Sequence, residues 1–142
     1  MIEAYLAFDG NAGEALAYYQ EVFGAPKPYV MREAATREAG SGAEAEAGPI
    51  LYATLKTPVG DLMLSDTQRP GRTPPGSAYW LMVTHGDEAL LREYFDRLAR
   101  DGEALEPLAR TFFSPLYGEV RDRFGYCWIF MLPSTLPVPE QP

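Results

Sequence analysis

The stretch YLAFDGNAGEALAYYQEVFG, residues 5–24, decides the fold, because residues 79–102, YWLMVTHGDEALLREYFDRLARDG, repeat its plan. In each copy an apolar strand enters a short polar turn. A helix carrying Glu-Ala-Leu follows, at Glu14-Ala15-Leu16 and at Glu88-Ala89-Leu90, and a glycine closes it. Each copy then runs into an apolar hairpin, and the second of these contains GEVRDRFGYCWIF, residues 118–130. The repeated order is β-α-β-β-β. A sheet of this kind has a helix on one face only, so joining two such halves closes a shared concave surface, where a pocket is expected.

The local signals agree with this plan. Residues 1–8 are apolar except for Glu3, which predicts a strand buried on both faces. Asn11 followed by Glu14 has the spacing of a capping box. Apolar residues at 12, 15, 16, 19, 22 and 23 form one face of a 3.6-residue repeat, and Gly24 and Pro26 end it. Short strands are predicted at Tyr29–Arg32, Ile50–Lys56 and Leu62–Ser65, the last two joined by a turn at residues 58–61. In the second half, strands are predicted at 78–83, 104–108, 116–121 and 126–132, with a helix over 87–100. Its inner face carries apolar residues at 90, 91, 94, 95, 98 and 99, and its outer face is charged.

Two stretches fall outside this plan. Residues 34–48, AATREAGSGAEAEAG, offer no packing face and are expected to be a mobile loop. Residues 66–77, DTQRPGRTPPGS, form a Pro/Gly-rich connector. The expected organisation is one domain over residues 1–133, with module one at 1–68 and module two at 77–133. A disordered tail is expected over 134–142, where four prolines stand between Pro133 and Pro142.

With 142 residues, 46% of them hydrophobic, the chain is large enough for one real core. Its net charge of −8 repels nucleic-acid phosphates and anionic lipid, so neither is an expected partner. No apolar run reaches membrane-spanning length and no signal peptide is visible. One cysteine, Cys127, forms no internal disulfide, which points to a cytoplasmic protein.

Four segments in this order and spacing resemble the vicinal oxygen chelate superfamily of glyoxalases, bleomycin-resistance proteins and dioxygenases. They are residues 5–24, LMLSD at 62–66, FDRLARDG at 95–102 and YGEVRDRFGYCWIF at 117–130. The likeness is to its PhnB-like branch, often labelled after a demethylubiquinone methyltransferase. It implies an α/β (α+β) fold of two βαβββ modules, with a curved mixed sheet and helices on the outer face. It also implies a homodimer, and, in enzymes of the superfamily, a divalent metal held by His and Glu. Carried over residue by residue, the ligand positions fall on Ile2, Tyr52 and Ile129. A catalytic metal needs three converging lone-pair donors. Two isoleucines remove two of them, and the chain has a single histidine. The expectation is therefore no metal, no cofactor, and none of the superfamily's metal chemistry.

The other candidate residues have plain structural readings. His85, between strand and helix, could be a general base, yet turns favour such residues. Cys127 lies in an apolar strand and reads as core. Asp66, Glu119 and Asp122 could supply acid–base chemistry, but Asp66 and Asp122 stand where turns begin. Gly40-Ser41-Gly42 lacks the residues that complete a phosphate loop. The aromatic set says more about a ligand. Tyr52, with Ile50 and Thr54, shares a strand face opposite Leu51, Ala53 and Leu55 by period-two alternation. With Trp80, Phe113 and Ile129, the residues Tyr52 and Thr54 are expected to line a cavity for a small hydrophobic or aromatic molecule. Three functions stay open: a metal-free binding protein; an enzyme, either a metal-dependent lyase, isomerase or dioxygenase with its ligands at other positions or a metal-free acid–base catalyst using Asp66, Glu119 or His85; and a purely assembly or regulatory dimer.

Overall fold

In the computed structural model, residues 3–32, 48–66, 75–76 and 78–135 are described. Ile2, residues 34–47, most of the connector and residues 136–142 lie outside them. The chain forms two compact units, Met1–Thr73 and Pro74–Pro142.

The first unit contains β1 (Ala4–Phe8), α1 (Ala12–Phe23), β2 (Tyr29–Arg32), β3 (Ile50–Thr57) and β4 (Gly60–Asp66). Its sheet runs β1-β4-β3-β2, with β1 parallel to β4 and the other pairs antiparallel. The second unit contains β5 (Leu81–Thr84), α2 (Glu88–Asp101), β6 (Glu103–Ala109), β7 (Tyr117–Arg121) and β8 (Cys127–Met131). Its order, β5-β8-β7-β6, repeats the first sheet strand for strand and direction for direction. The duplicated α+β plan read from the sequence is present, as two four-stranded mixed sheets. No helix among the described residues is long and apolar enough to cross a membrane.

In each unit the helix covers one sheet face. Helix α1 packs on β3 and β4. It buries Ala12, Ala15, Leu16, Tyr19, Val22 and Phe23 against Leu6, Phe8, Ala53, Leu55, Leu62 and Leu64. Helix α2 packs on β6, β7 and β8 through Leu91, Tyr94, Phe95 and Leu98. Phe95 meets Phe130 edge-on at 6.2 Å, and Trp128 stacks on Phe130 at 6.1 Å. One-sided cover corrects the reading of the first strand. β1 buries Leu6 and Phe8 but leaves Tyr5 51% exposed. It therefore alternates, as a strand with one helix-covered face should.

The ends of the helices show what sequence spacing misses. Gly24 at φ 58° closes α1: its N–H donates to Glu21 and that of Ala25 to Gln20, a Schellman cap. At the other end the expected capping box is absent. The Asn11 side chain makes no cap bond to α1 and accepts instead from the Asp9 N–H at 3.3 Å. The N–H of Ala12 donates to Oδ1 of Asp66 at 2.9 Å, and Oδ2 of Asp66 accepts from the Ile50 N–H at 3.0 Å. One carboxylate at the end of β4 thus caps the helix and pins the start of β3. The second helix is capped locally, by Asp87 accepting from the Leu90 N–H. It ends at Gly102, where an added Cβ meets the backbone carbonyl oxygen of Arg121.

Candidate functional site

The faces not covered by a helix carry the candidate residues. Register places them in rows across each sheet. In the first unit, Tyr5 pairs with Met63, Met63 with Thr54 and Thr54 with Tyr29. In the second unit, the matching strands align Met82 with Ile129, Ile129 with Glu119 and Glu119 with Glu106. Paired residues point to the same side of a sheet. Tyr29 and Met82 are each 58% exposed. Each unit therefore presents an open face rich in large apolar side chains, which a water-facing surface ordinarily avoids.

Tyr52 and Thr54 come together on the first open face. The Thr54 hydroxyl donates to the Tyr52 hydroxyl oxygen at 2.7 Å, and the Tyr29 and Tyr52 rings lie 6.3 Å apart. Ile50 does not join them. A bulge between Met31 and Arg32 pairs Met31 with Tyr52 and Arg32 with Ile50, leaving Leu51 as the extra residue. An extra residue reverses the alternation beyond it. Ile50 is fully buried, with its Cδ1 near Gly13 of α1, and Leu51 is exposed in its place.

Ile129 sits at the centre of the second row. Phe113, in the loop before β7, packs edge-on against Tyr117 at 5.1 Å, and Phe112 packs against Phe113. Backbone N–H groups of Phe113 and Ser114 donate to the Thr111 hydroxyl, and the Thr111 N–H donates to the Ser114 carbonyl. That turn holds Phe113 on the sheet and leaves Phe112 84% exposed. Trp80 is half-buried and precedes β5 by one residue, outside the strand ladder.

Tyr117 and Glu119 form the polar element of this face. The Tyr117 hydroxyl donates to Oε1 of Glu119 at 2.9 Å. Burial, the hydrogen bond to Glu119, and the charges of Glu119 and Glu106 push the phenol up to about 12. Tyr117 therefore keeps its proton and serves as a donor. Sequence reasoning named Glu119 but not Tyr117. The available signal was the shared spacing, since Tyr52-x-Thr54 and Tyr117-x-Glu119 fall on the corresponding strands β3 and β7.

The remaining candidates are engaged in structure. Both oxygens of Asp66 bind backbone N–H groups. Asp122, nearly fully buried, accepts from the N–H of Phe124 and Tyr126 and from Nε1 of Trp128. Nδ1 of His85 accepts from the Asp87 N–H at 3.0 Å. Cys127 is buried within β8. A cleft of about 310 Å³ beside the start of α1 is lined by Gly10, Asn11, Gly13, Glu14, Arg32 and Asp66, among others. Asp66 already occupies its first helix N–H, and Arg32 donates to the Gly48 carbonyl at 2.7 Å.

A divalent metal does not fit the residues at the carried-over positions. Ile129 has no donor atom, and the Tyr52 oxygen is engaged by Thr54. Among the described residues, no group of three His, Cys, Asp or Glu side chains is placed to hold an ion.

Comparison with known proteins agrees with the duplicated topology. Residues 2–130 match the Glyoxalase/Bleomycin resistance protein/Dioxygenase superfamily. Protein YjdN of Escherichia coli K12 is 26% identical over 96% of this chain and 97% of its own. The crystal structure of protein PA1353 from Pseudomonas aeruginosa aligns with a TM-score of 0.76 and 25% identity, over 94% of this chain and 97% of that one. A putative 3-demethylubiquinone-9 3-methyltransferase, the PhnB protein of Bacillus cereus, aligns with a TM-score of 0.67 and 27% identity, over 92% and 98%. With its repeated four-stranded sheets and a profile match over nearly its whole length, this chain belongs to the glyoxalase/bleomycin resistance/dioxygenase superfamily and has PhnB-like proteins among its structural neighbours.

Proposed function

We propose that this protein binds a small hydrophobic or aromatic molecule over its open sheet faces, without a metal ion, and does so as a homodimer. One observation carries the reading: large aromatic and aliphatic side chains, exposed or half-exposed, stand in both open rows, beside Thr54 in the first and Glu119 and Glu106 in the second. Tyr5, Met63 and Tyr29 stand in one, Met82 and Ile129 in the other. An apolar surface with a few placed hydroxyls suits a small organic ligand. Tyr52 and Thr54 are the residues assigned to the first face, and Trp80, Phe113 and Ile129 those assigned to the second. A two-fold dimer is the commonest way for such a chain to cover further apolar surface. The net charge of −8 disfavours nucleic acid and anionic lipid as partners, and the lone buried Cys127 suits a reducing cytoplasm.

The test is a calorimetric titration of the tag-free protein with 2-naphthylmethanol, a neutral aromatic probe, in the presence of a chelator. Saturable binding that Tyr52→Ala or Ile129→Asp weakens supports the reading. Absence of binding, or binding indifferent to both substitutions, overturns it.

A further inference from the structure

The second open face differs from the first in the partner of its strand tyrosine, and that difference has a chemical meaning. Thr54 and Glu119 stand on the corresponding strands β3 and β7 of the repeated sheets, and each bonds the tyrosine two residues before it. The first unit shows that a neutral hydroxyl is enough to hold such a tyrosine. The carboxylate at 119 is therefore not required by the fold.

Among the described residues it also has no cationic partner. Glu119 is half-buried and faces Glu106 in register on the next strand. Like charges directly opposite on neighbouring strands are unfavourable. The basic residue on this face, Arg121, is engaged by Glu103 at 3.2 Å. Among the described residues, no Lys or Arg pairs with Glu106 or Glu119. Tyr117 occupies one oxygen of Glu119, and a carboxylate has about four acceptor sites. The surroundings are aromatic and aliphatic: Phe113 lies against Tyr117, and Ile129 and Met82 continue the row.

We infer that Glu119 sets the charge of the bound molecule, which carries a protonated amine on an apolar or aromatic body. The inference rests on the binding reading above and names its ligand class. The ammonium donates to the free acceptors of Glu119, with Glu106 adding to the negative field and the rings of Phe113 and Tyr117 flanking it. Tyr117, held protonated, fixes the carboxylate in place. A metal ion is a poorer match, since the phenol keeps its proton and two carboxylates fall short of a ligand set.

The experiment compares three probes of one shape on the whole protein at neutral pH: 2-naphthylmethylammonium, 2-naphthylmethanol and 2-naphthoate. The ammonium is expected to bind at least about tenfold tighter than the alcohol, with naphthoate weakest. Glu119→Gln is expected to cost the ammonium about tenfold more than it costs the alcohol, bringing the two together. Equal binding of ammonium and alcohol to the unsubstituted protein overturns this inference while leaving the binding reading intact. An equal loss for both probes in the Gln variant overturns it too, as the signature of a structural role. If none of the three binds, both readings fall together.

Discussion

Tyr117 donates its hydroxyl to Glu119 at 2.9 Å on the open face of β7, and on β3 Tyr52 accepts from the Thr54 hydroxyl at 2.7 Å. The same device, a tyrosine held by the residue two positions on, marks both copies of the duplicated unit. One copy holds it with a neutral partner and the other with a charge.

The charged copy has a pH signature. The Tyr117 phenol is raised from 10.0 to about 12, by burial first and then by Glu119. A group that holds its proton more tightly when folded contributes stability that is fully present below its unfolded value. That contribution is lost as pH rises through the folded one. Stability should therefore fall between pH of about 10 and about 12, and Tyr117→Phe should lessen that fall. Tyrosinate absorbance followed against pH, with the Phe variant as the difference, checks this. Glu119→Gln should move the Tyr117 transition to lower pH.

Asp66 predicts a stability effect far from the candidate face. Asp66→Ala leaves the N–H groups of Ala12 and Ile50 without their acceptor. The expected loss is about 2–4 kcal/mol, summing two part-buried groups. Asp66→Asn keeps one carbonyl oxygen and should fall between. Denaturant unfolding measures both, and an Ala variant as stable as the parent protein would contradict the long-range cap.

Gly102 and Gly118 should respond differently to alanine. At Gly102 a Cβ meets the Arg121 carbonyl oxygen, which is backbone and cannot step aside. At Gly118 it meets Leu108 Cδ2 at 2.8 Å and Phe95 Cε2 at 3.0 Å, the ends of side chains. Gly102→Ala should cost at least about 2 kcal/mol, and Gly118→Ala about 1 kcal/mol. Thermal unfolding of the pair decides it, and the reverse order would refute the packing described for the end of α2.

The open face predicts the opposite pattern, in which binding changes and stability does not. Tyr29 is exposed at the edge of its sheet. Tyr29→Ala should alter stability by no more than about 0.5 kcal/mol. The same change should weaken association of the neutral naphthyl probe or of a second chain, read by calorimetry and by sedimentation. Destabilisation without loss of either would assign Tyr29 to the core.

Much of the fold is legible in the sequence because its signals are local. The apolar faces of both helices, the Schellman glycine and the turn at residues 122–125 each rest on residues a few positions apart. What escapes is long-range. Asn11 and Glu14 have the spacing of a capping box, yet Asp66, on another strand, does the capping. The bulge at Leu51 turns Ile50 into the core, and no period-two count reveals a bulge. The continuous apolar run of the first strand hides Tyr5 on an open face, since a one-sided strand can still be apolar on both sides. Of the candidate site, Tyr52, Thr54, Phe113 and Ile129 could be named from the chain. The partnership of Tyr117 with Glu119, and the row joining Glu119 to Ile129 and Glu106, needed the strand register.

Native mass spectrometry of the tag-free protein tests most directly whether carbon and hydroxyl, rather than a metal, define these faces. The expected spectrum shows paired chains with no added metal mass, carrying organic adducts that collisional activation releases. One transition-metal ion bound per chain, retained through purification, would contradict it.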